Sequence, residues 1–600
     1  MNVYFVDCLP EPCQGAYIDY FDKDYGLSEC RRIDLKPRLS LRQEDFFSSI
    51  EKWHTELCII GARQFKWWWL LPASRLILWH PPVWKPLVFA LAVAEELEGF
   101  SGNEVYVTGC PEETAVYLQE FCVAIKVVDK RKNRQRVLPD SLRSFLASLK
   151  YLFDVLVFIL LHRKRQPIIE GPSPIIIWTY LLSPGAESET TKDHFFGDMF
   201  KPGDFKYPVY WVCHGSLRNN SGMCSPVYTD GDRSLIYDWI GISEWYSLVR
   251  FYIFEWCFNR TPIVVPEFVL NGHASKSFAK NFASELIEHT APLAEMTALL
   301  GLKRILRESS PRALVYPYEE KCVERALLTA VKETKKATLT VGFAHAVYNK
   351  GLMYLRRRNE VEASPSMPDR LLATGTALKK WLVDWAKWDE KRILIGGSPR
   401  WHHTNGHGID GTLRGRPLRI LVLIGQDYEA IELANQLEKL PSAFDEFEVV
   451  VRPYPYSWGD GQEKAFSIIK KINRHIRVDG GALDEQIAWC DVAIYCSTSA
   501  GIEAMLSGRL TVYLDLNQIF SLSPIDEKIQ SKALCKCQNL SELNELLYVV
   551  NQMTEEQYTD VVGHQCNAAN QLFQKIDYSV LNGLLKSNQV SSDSKNYVAE

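Results

Sequence analysis

The sequence predicts an α/β protein with parallel sheets, built in at least two units. Three observations carry this. Short apolar runs of strand length alternate with helix-length stretches along most of the chain, the pattern of strand–helix–strand crossovers. The chain has 600 residues, whereas single cores usually stop growing near about 250–300 residues. A glycine-rich stretch at 396–415, GGSPRWHHTNGHGIDGTLRG, separates a long first part from a more regular second part and suits a hinge.

In the first part, strands are expected at 3–6, 56–61, 75–79, 104–107 and 124–128, then at 174–178, 209–213, 313–316, 338–343 and 370–374. Helices fill the gaps. One covers 86–97 after the Pro81-Pro82 break, and another covers 275–289, ending before Pro292 because proline cannot continue a helix. Residues 185–262, rich in Gly, Ser and aromatics, read as loops over one face. In the second part, strands fall at 418–424, 448–452, 492–496 and 510–514, with helices at 428–440 and 502–506. The expected units are therefore 1–395, the hinge 396–415, and 416–586, followed by a polar tail, 587–600, expected to be disordered.

Charged residues make up 24% and hydrophobic residues 46%, so the chain can bury large cores. Lys+Arg total 68 against Asp+Glu 73, a net charge of −5 that argues against a dedicated nucleic-acid binder. The 15 cysteines form no CxxC pairs and no dense disulfide framework, as expected in a reducing cytoplasmic setting. The start, MNVYFVDCLPEPCQG, reads as a first strand rather than a secretory signal.

Residues 145–162, FLASLKYLFDVLVFILLH, form the most apolar helix candidate, broken only by Lys150 and Asp154 and followed by Arg163-Lys164-Arg165. It reads either as a core helix or as a helix lying in a membrane interface with its cations on anionic headgroups. Seventeen Trp within an aromatic content of 12% favour the interface. The expected location is cytoplasmic, peripheral on the inner face of the membrane.

The densest constellation is Asp491-VAIYCSTSAGIEAMLSGRLTVYL-Asp515. A buried strand delivers Ser497, Thr498, Ser499 and Gly501 to a helix start, where free N–H groups and hydroxyls suit a phosphate. Glu503, in the first turn, is placed to accept hydrogen bonds from a ribose. An ordinary capped helix with Glu503 in a capping box is the alternative. Gly425-Gln426 ends the first strand of the same unit and resembles a nucleotide-facing turn. Neither GxGxxG nor GxxxxGK[ST] occurs here, so dinucleotide and P-loop binding lack support.

This stretch resembles the donor-binding motif of GT-B glycosyltransferases. Upstream, Val450-Val451-Arg452-Pro453-Tyr454-Pro455 resembles the basic-Pro-His-Pro motif of bacterial sialyl- and Kdo-transferases, with Tyr454 in place of the histidine. The first part resembles bacterial surface-carbohydrate biosynthesis proteins of capsule and O-antigen pathways. The likeness lies in Phe65-KWWWLLPA-Ser74, Thr191-KDHFFG-Asp198, Tyr318-EEKCVERAL-Leu328 and Val341-GFAH-Ala346, and in Pro368-Asp369 with Ala373-Thr374-Gly375. Val323 and Ala344 depart from those patterns. The resemblance implies a GT-B architecture of two Rossmann-like domains facing across a cleft, with the acceptor on the first and the nucleotide-sugar on the second.

The residues fit such chemistry. Glu319 and Glu320 follow a strand, where carboxylates face the crevice of an α/β sheet, and either suits a general base or a nucleophile. Glu320 leans toward a helix-cap role and Glu319 toward chemistry. His345 ends a strand and is a candidate to stabilise a departing phosphate or orient an acceptor, with a core histidine as the alternative. Trp68, Ser74, Asp193 and His214 are acceptor-side candidates, with Asp193 and Asp198 alternatively loop caps. His402, His403 and His407 lack Cys or Glu-x-x-His partners, so no metal is expected, and no cofactor beyond the substrate.

The expected activity is metal-independent transfer of a sugar from a nucleotide donor, CMP-Kdo or another CMP-ulosonic acid being preferred, to a cell-surface or lipid-linked glycan. A UDP-sugar-dependent transferase, a UDP-sugar 2-epimerase of the same fold and a non-catalytic glycan-assembly subunit are the alternatives. No nucleic-acid partner is expected.

Overall fold

The computed structural model describes residues 2–5, 15–18, 30–33, 43–66, 68–71, 87, 90, 93–94, 105–121, 125–131, 140–162, 169, 173–180, 193, 195–201, 203–215, 233–258, 263–270, 273–283, 291–346, 367–401, 416–454, 461–473, 475–516, 523 and 534–586. Three parallel sheets organise them. The first holds β1 (Asn2–Phe5), β2 (Gly15–Ile18), β3 (Cys30–Ile33), β4 (Val105–Pro111) and β5 (Ile125–Arg131) in the order β3-β2-β1-β4-β5. Residues 1–395, read from the sequence as one unit, thus carry a separate sheet before their main one.

The second sheet has seven strands: β6 (Ile175–Tyr180), β7 (Val209–His214) and β8 (Arg233–Leu235), then, after a short antiparallel hairpin of β9 (Phe268–Leu270) and β10 (His273–Ser275), β11 (Ala313–Pro317), β12 (Leu339–Ala344), β13 (Arg370–Ala373) and β14 (Ile393–Ile395). Their order is β14-β13-β12-β11-β6-β7-β8, all parallel. IIIWTY of β6 and LTVGFA of β12 are buried at every position, as strands covered on both faces by crossovers must be.

The third sheet, β15 (Arg419–Leu423), β16 (Glu448–Arg452), β17 (Ile476–Val478), β18 (Val492–Tyr495), β19 (Leu510–Leu514) and β20 (Cys535–Cys537), runs β17-β16-β15-β18-β19-β20 and is parallel throughout.

The helices that matter below are α1 (Gln43–Gln64), α2 (Asp140–His162), α3 (Ile242–Arg250), α4 (Cys322–Thr334), α5 (Asp427–Lys439), α6 (Ala500–Leu506), α7 (Glu555–Leu572) and α8 (Tyr578–Lys586). Two expectations are corrected here. Residues 56–61 are not a strand but part of α1. The buried positions Phe47, Ile50, Trp53, His54, Leu57 and Cys58 recur at three- and four-residue spacing, and that long stripe outweighs the local Cys58-Ile59-Ile60 run. Within 185–262, read as loops, α3 continues directly into a π-helical stretch, Phe251–Phe258. The expected strand at 75–79 lies outside the described residues.

The chain's two parts are tied at the start of the glycine-rich segment. Ser398 N–H donates to Gln574 O at 2.8 Å, Gln574 N–H to Thr374 O at 2.9 Å, and Thr374 Oγ1 to Leu572 O at 2.8 Å. Gly397 has φ +83°, and a Cβ there would lie 2.4 Å from Lys575 O, so only glycine fits. Residues 396–398 are thus packed in place rather than free. From this seam α8 returns to the first part, burying Leu581, Leu584 and Leu585 in the core of the seven-stranded sheet. Two Rossmann-like parallel units, with the last helix of the chain returned to the first, make the GT-B arrangement.

Candidate active site at the facing strand ends

Strand order alone marks where ligands belong in such sheets. Connections reverse direction between β6 and β11 in the seven-stranded sheet, and between β15 and β18 in the six-stranded one. A crevice opens outside the carboxyl ends at each reversal. Tyr180 ends β6, and Glu319 follows β11 by two residues. Gly425-Gln426 follows β15, and Ser497–Ser499 follows β18.

At the first reversal, Glu319 is the organising group. Its Oε1 lies 3.3 Å from His345 Nε2, its Oε2 pairs with Lys321 Nζ, and its side chain keeps 23% of its exposure. Burial pushes this carboxyl upward, but the Lys321 ammonium and the His345 ring outweigh it and hold it well below the usual carboxylate range. Burial lowers His345, Glu319 pulls it partly back, and Arg400 and Lys321 lower it further. The ring is therefore neutral at pH 7, with Nε2–H donating to the carboxylate. Its Nδ1 is buried and has no hydrogen-bond partner among the described residues.

The surrounding loop is built to hold this pair. Glu324, in the first turn of α4, accepts the Glu319 N–H at 3.0 Å and the Tyr180 hydroxyl at 3.1 Å. Lys321 Nζ sits 4.3 Å from the Tyr180 ring centroid, and Phe195 stands edge-on to His345 at 4.8 Å.

Glu320 is placed elsewhere. It is 3% exposed, has φ +53° and pairs with the buried Arg325 at 3.0 Å. Its carboxylate is neither in the crevice nor a helix cap, since no side chain caps α4 at its N-cap, Lys321.

At the second reversal, the buried Glu429 of α5 gathers the backbone. It accepts N–H bonds from Gly425 at 2.6 Å, Gln426 at 3.0 Å and Ser497 at 3.0 Å. These donors, expected to face a phosphate, are committed to Glu429. A Cβ on Gly425 would meet Ser497 Oγ at 2.8 Å and Thr498 N at 3.1 Å, so the glycine lets the two loops touch. Thr498 Oγ1 accepts the Ala500 N–H at 3.2 Å. Gly501 serves packing: a Cβ there would fall 2.4 Å from the Tyr495 ring. The alternative reading of Glu503, a capping box, is not formed, because Ser499, the N-cap of α6, makes no side-chain cap bond.

The two reversals meet through Arg400. It lies just beyond β14, yet its Nη1 donates to Ser499 Oγ and stands 3.6 Å from Glu503 Oε1. It also acts on His345 electrostatically. Tyr454 completes the link. Its hydroxyl is pushed up by burial and by Glu319, and pulled back by Arg400, so it lies in the field of both. Arg452 is turned to structure, with Nη1 donating to Gly481 O and to Gln486 Oε1 at 2.8 Å.

Asp193 and His214 border this cluster without bonding to Glu319 or His345, His214 standing 6.1 Å from the Tyr180 ring, and the other candidates lie elsewhere. Asp193 is a loop cap, accepting Thr179 Oγ1 at 2.7 Å and the Phe195 and Phe196 N–H groups at 2.9 Å. Burial raises its pKa in spite of those bonds. His214 ends β7, stacked on Trp178 at 5.6 Å, and burial with Lys321 nearby lowers its pKa to about 4. Trp68 is core, fully buried against Gly61. Asp491 is held by Arg416 in a two-point pair at 2.6 and 2.8 Å. Ser74, His402, His403 and His407 lie outside the described residues. Among the described residues no group of three or more His, Cys, Asp or Glu is placed to hold a metal ion.

Sequence reasoning missed Arg400, Lys321, Glu324 and Glu429. Only Glu429 carried a local signal, a glutamate three residues after Gln426 at a helix start, which the structure shows as a capping box.

No family model matches the chain, and no curated protein matches it. Among solved structures the chain is similar to the lipopolysaccharide outer core galactosyltransferase WaaB, at 11% identity over 69% of this chain and 99% of that one, with a TM-score of 0.38. It is also similar to a UDP-GlcNAc 2-epimerase from Neisseria meningitidis bound to UDP-GlcNAc, at 10% identity over 66% and 97%, with a TM-score of 0.38. A third similar structure is MurG from Acinetobacter baumannii, at 11% identity over 69% and 99%, with a TM-score of 0.36.

Proposed function

We propose that this protein is a glycosyltransferase that moves a sugar from a nucleotide-activated donor to a glycan acceptor in the cleft between the seven- and six-stranded sheets. One observation carries the reading. An ionised carboxylate, Glu319, is held by Lys321 and a neutral histidine at one reversal point, while Arg400, which acts on that histidine and on Tyr454 electrostatically, is bound to Ser499 and stands 3.6 Å from Glu503 at the other.

The two ends suit opposite charges. As the bond from the anomeric carbon to the leaving phosphate breaks, its electron pair goes to the phosphate, and Arg400 with the Ser499 hydroxyl stabilises that charge. Positive charge on the sugar ring develops toward Glu319. The acceptor oxygen forms the new glycosidic bond and its proton passes to Glu319. A carboxylate that is a weak base at rest suffices, because the attacking hydroxyl becomes strongly acidic as the bond forms. Glu503 is placed to receive ribose hydroxyls. No step requires a metal ion. The acceptor is a surface glycan, carried on lipid where the exposed helix described below meets a membrane.

The base of the donor is assigned by titration with CMP, UDP, GDP and dTDP, since Tyr454 stands where the CMP-using transferases carry histidine. Glu319→Gln tests the chemistry. Transfer should fall by about 10²-fold or more while nucleotide affinity stays. Wild-type transfer by that variant removes Glu319 from the reaction. Complete interconversion of a UDP-sugar with no acceptor present identifies a 2-epimerase instead.

A further inference from the structure

Helix α2 is apolar without being buried. Its Leu142–Leu161 stretch is long and apolar enough to cross a membrane, yet only 17% of it is buried. A core helix would be mostly covered, and a signal sequence would stand near the N-terminus. Within it, Lys150 pairs with Asp154 at 3.0 Å one turn apart, which neutralises both charges internally.

One stripe of α2, made of Ser148, Leu152, Val155 and Ile159, is buried against the body of the protein. That attachment along its length means the helix lies on a surface rather than passing through it. The opposite face presents Phe153 at 63%, Leu160 at 59% and Leu161 at 74% exposure.

The neighbouring element extends this surface. Trp245 Nε1 donates to Leu152 O at 2.9 Å, the Phe145 and Tyr252 rings are 6.3 Å apart, and Phe158 and Tyr237 are 5.8 Å apart. Numbers rising on one side as they fall on the other show an antiparallel pair. Along it α3 and the π-helical stretch expose Tyr246, Ile253, Phe254 and Phe258, the last at 77%. Exposed Arg143 and Arg250 lie near the same end of the pair, and in sequence α2 is followed directly by Arg163-Lys164-Arg165.

We infer that α2 and the Ile242–Phe258 segment together form a platform that lies in the interface of an anionic lipid bilayer. At 1.5 Å per residue the 23 residues of α2 extend roughly 34 Å, parallel to the membrane plane. Apolar side chains enter the acyl boundary, the exposed Tyr246 sits at headgroup level, and Arg143 and Arg250 meet lipid phosphates. The acyl surface is the occupant that combines with flanking cations and a strip apolar along two helices.

Vesicle flotation of the full chain tests this. Wild-type protein should float with vesicles of phosphatidylcholine containing phosphatidylglycerol, and less with phosphatidylcholine alone. F153S/L160S/L161S on α2 and F254S/F258S on the π-helical stretch should each cut the floating fraction about five-fold or more, with unchanged thermal melting because all five side chains are exposed. Arg143→Gln with Arg250→Gln should lower binding to the anionic vesicles only. Undiminished flotation of F254S/F258S would overturn the two-helix platform. Wild-type protein that stays unbound to both vesicles would overturn the membrane contact, and a dimer dissolved by the same substitutions would assign the face to a second copy. The contact is read without donor or acceptor, so its failure and that of sugar transfer are separately visible.

Discussion

Glu319 Oε1 lies 3.3 Å from His345 Nε2 because two adjacent strands deliver them together. In the β11–β12 ladder Pro317 stands opposite Phe343, and the Tyr318 N–H donates to Phe343 O at 2.8 Å. The residues just past each strand end are thereby held side by side. The pairing helps keep the carboxylate ionised, while burial, Arg400 and Lys321 keep the ring neutral against the pull of Glu319.

That mutual influence gives a pH prediction. Protonation of His345 should limit transfer only below its ordinary pKa of about 6.5, because its folded pKa is lowered. Glu319 raises that pKa, so in Glu319→Gln the residual activity should lose its acid limb at a lower pH than wild type. His345→Ala should slow transfer less than Glu319→Gln. Rate–pH profiles of the three proteins check both statements, and an acid limb that moves upward in Glu319→Gln would contradict the pairing.

His214 should make the fold acid-sensitive. Its pKa falls to about 4 when folded, through burial and Lys321. The unfolded chain therefore binds the extra proton first. Its contribution is complete above the unfolded value near about 6.5 and is lost as pH falls toward 4, by up to ~1.4 kcal/mol per pH unit for one proton. Urea melts of wild type and His214→Phe between pH 4 and 7 should show a shallower acid loss in the variant.

Glu320 should matter for stability and not for chemistry. Glu320→Ala leaves the buried Arg325 uncompensated, a loss of about 3–5 kcal/mol for a broken buried pair. Denaturation of that variant should show a loss of this size, while the rate per folded molecule stays near wild type. A large fall in that rate with stability intact would return Glu320 to the reaction.

Arg400 and Glu503 should act as a unit on the donor. Glu503→Ala should weaken nucleotide binding by about 1–3 kcal/mol, the range for losing a charged hydrogen bond. Arg400→Ala should cost a similar amount, and the double variant less than the sum, because the two side chains contact each other. Calorimetry on the four proteins measures the coupling.

The second unit was the more legible part of the chain. Strands expected at 448–452 and 510–514 match those observed, because each centres on a short buried apolar run, Val449-Val450-Val451 and Val512-Tyr513-Leu514. The short strands CRRI, IRV and CKC escaped, since three or four residues with charges among them carry no periodicity. The Ile242–Phe258 helix was hidden by its aromatic run, in which exposed and buried rings lack the usual amphipathic contrast. At the site, positions after strands could be read, and Glu319, His345 and Ser499 fall there, with Glu503 in the first turn of the helix that follows. Arg400 could not. It sits in a stretch dominated by glycine, and its partner Ser499 lies 99 residues away, so only the folded chain shows what it joins.

The central claim is a nucleotide site in the cleft that depends on Arg400. Calorimetric titration of CMP, UDP, GDP and dTDP into wild type and Arg400→Ala tests it most directly. One of the four should bind wild type in a 1:1 ratio and bind Arg400→Ala about ten-fold or more weakly, as loss of a charged contact implies. Failure of all four to bind, or equal affinity for the two proteins, would contradict it.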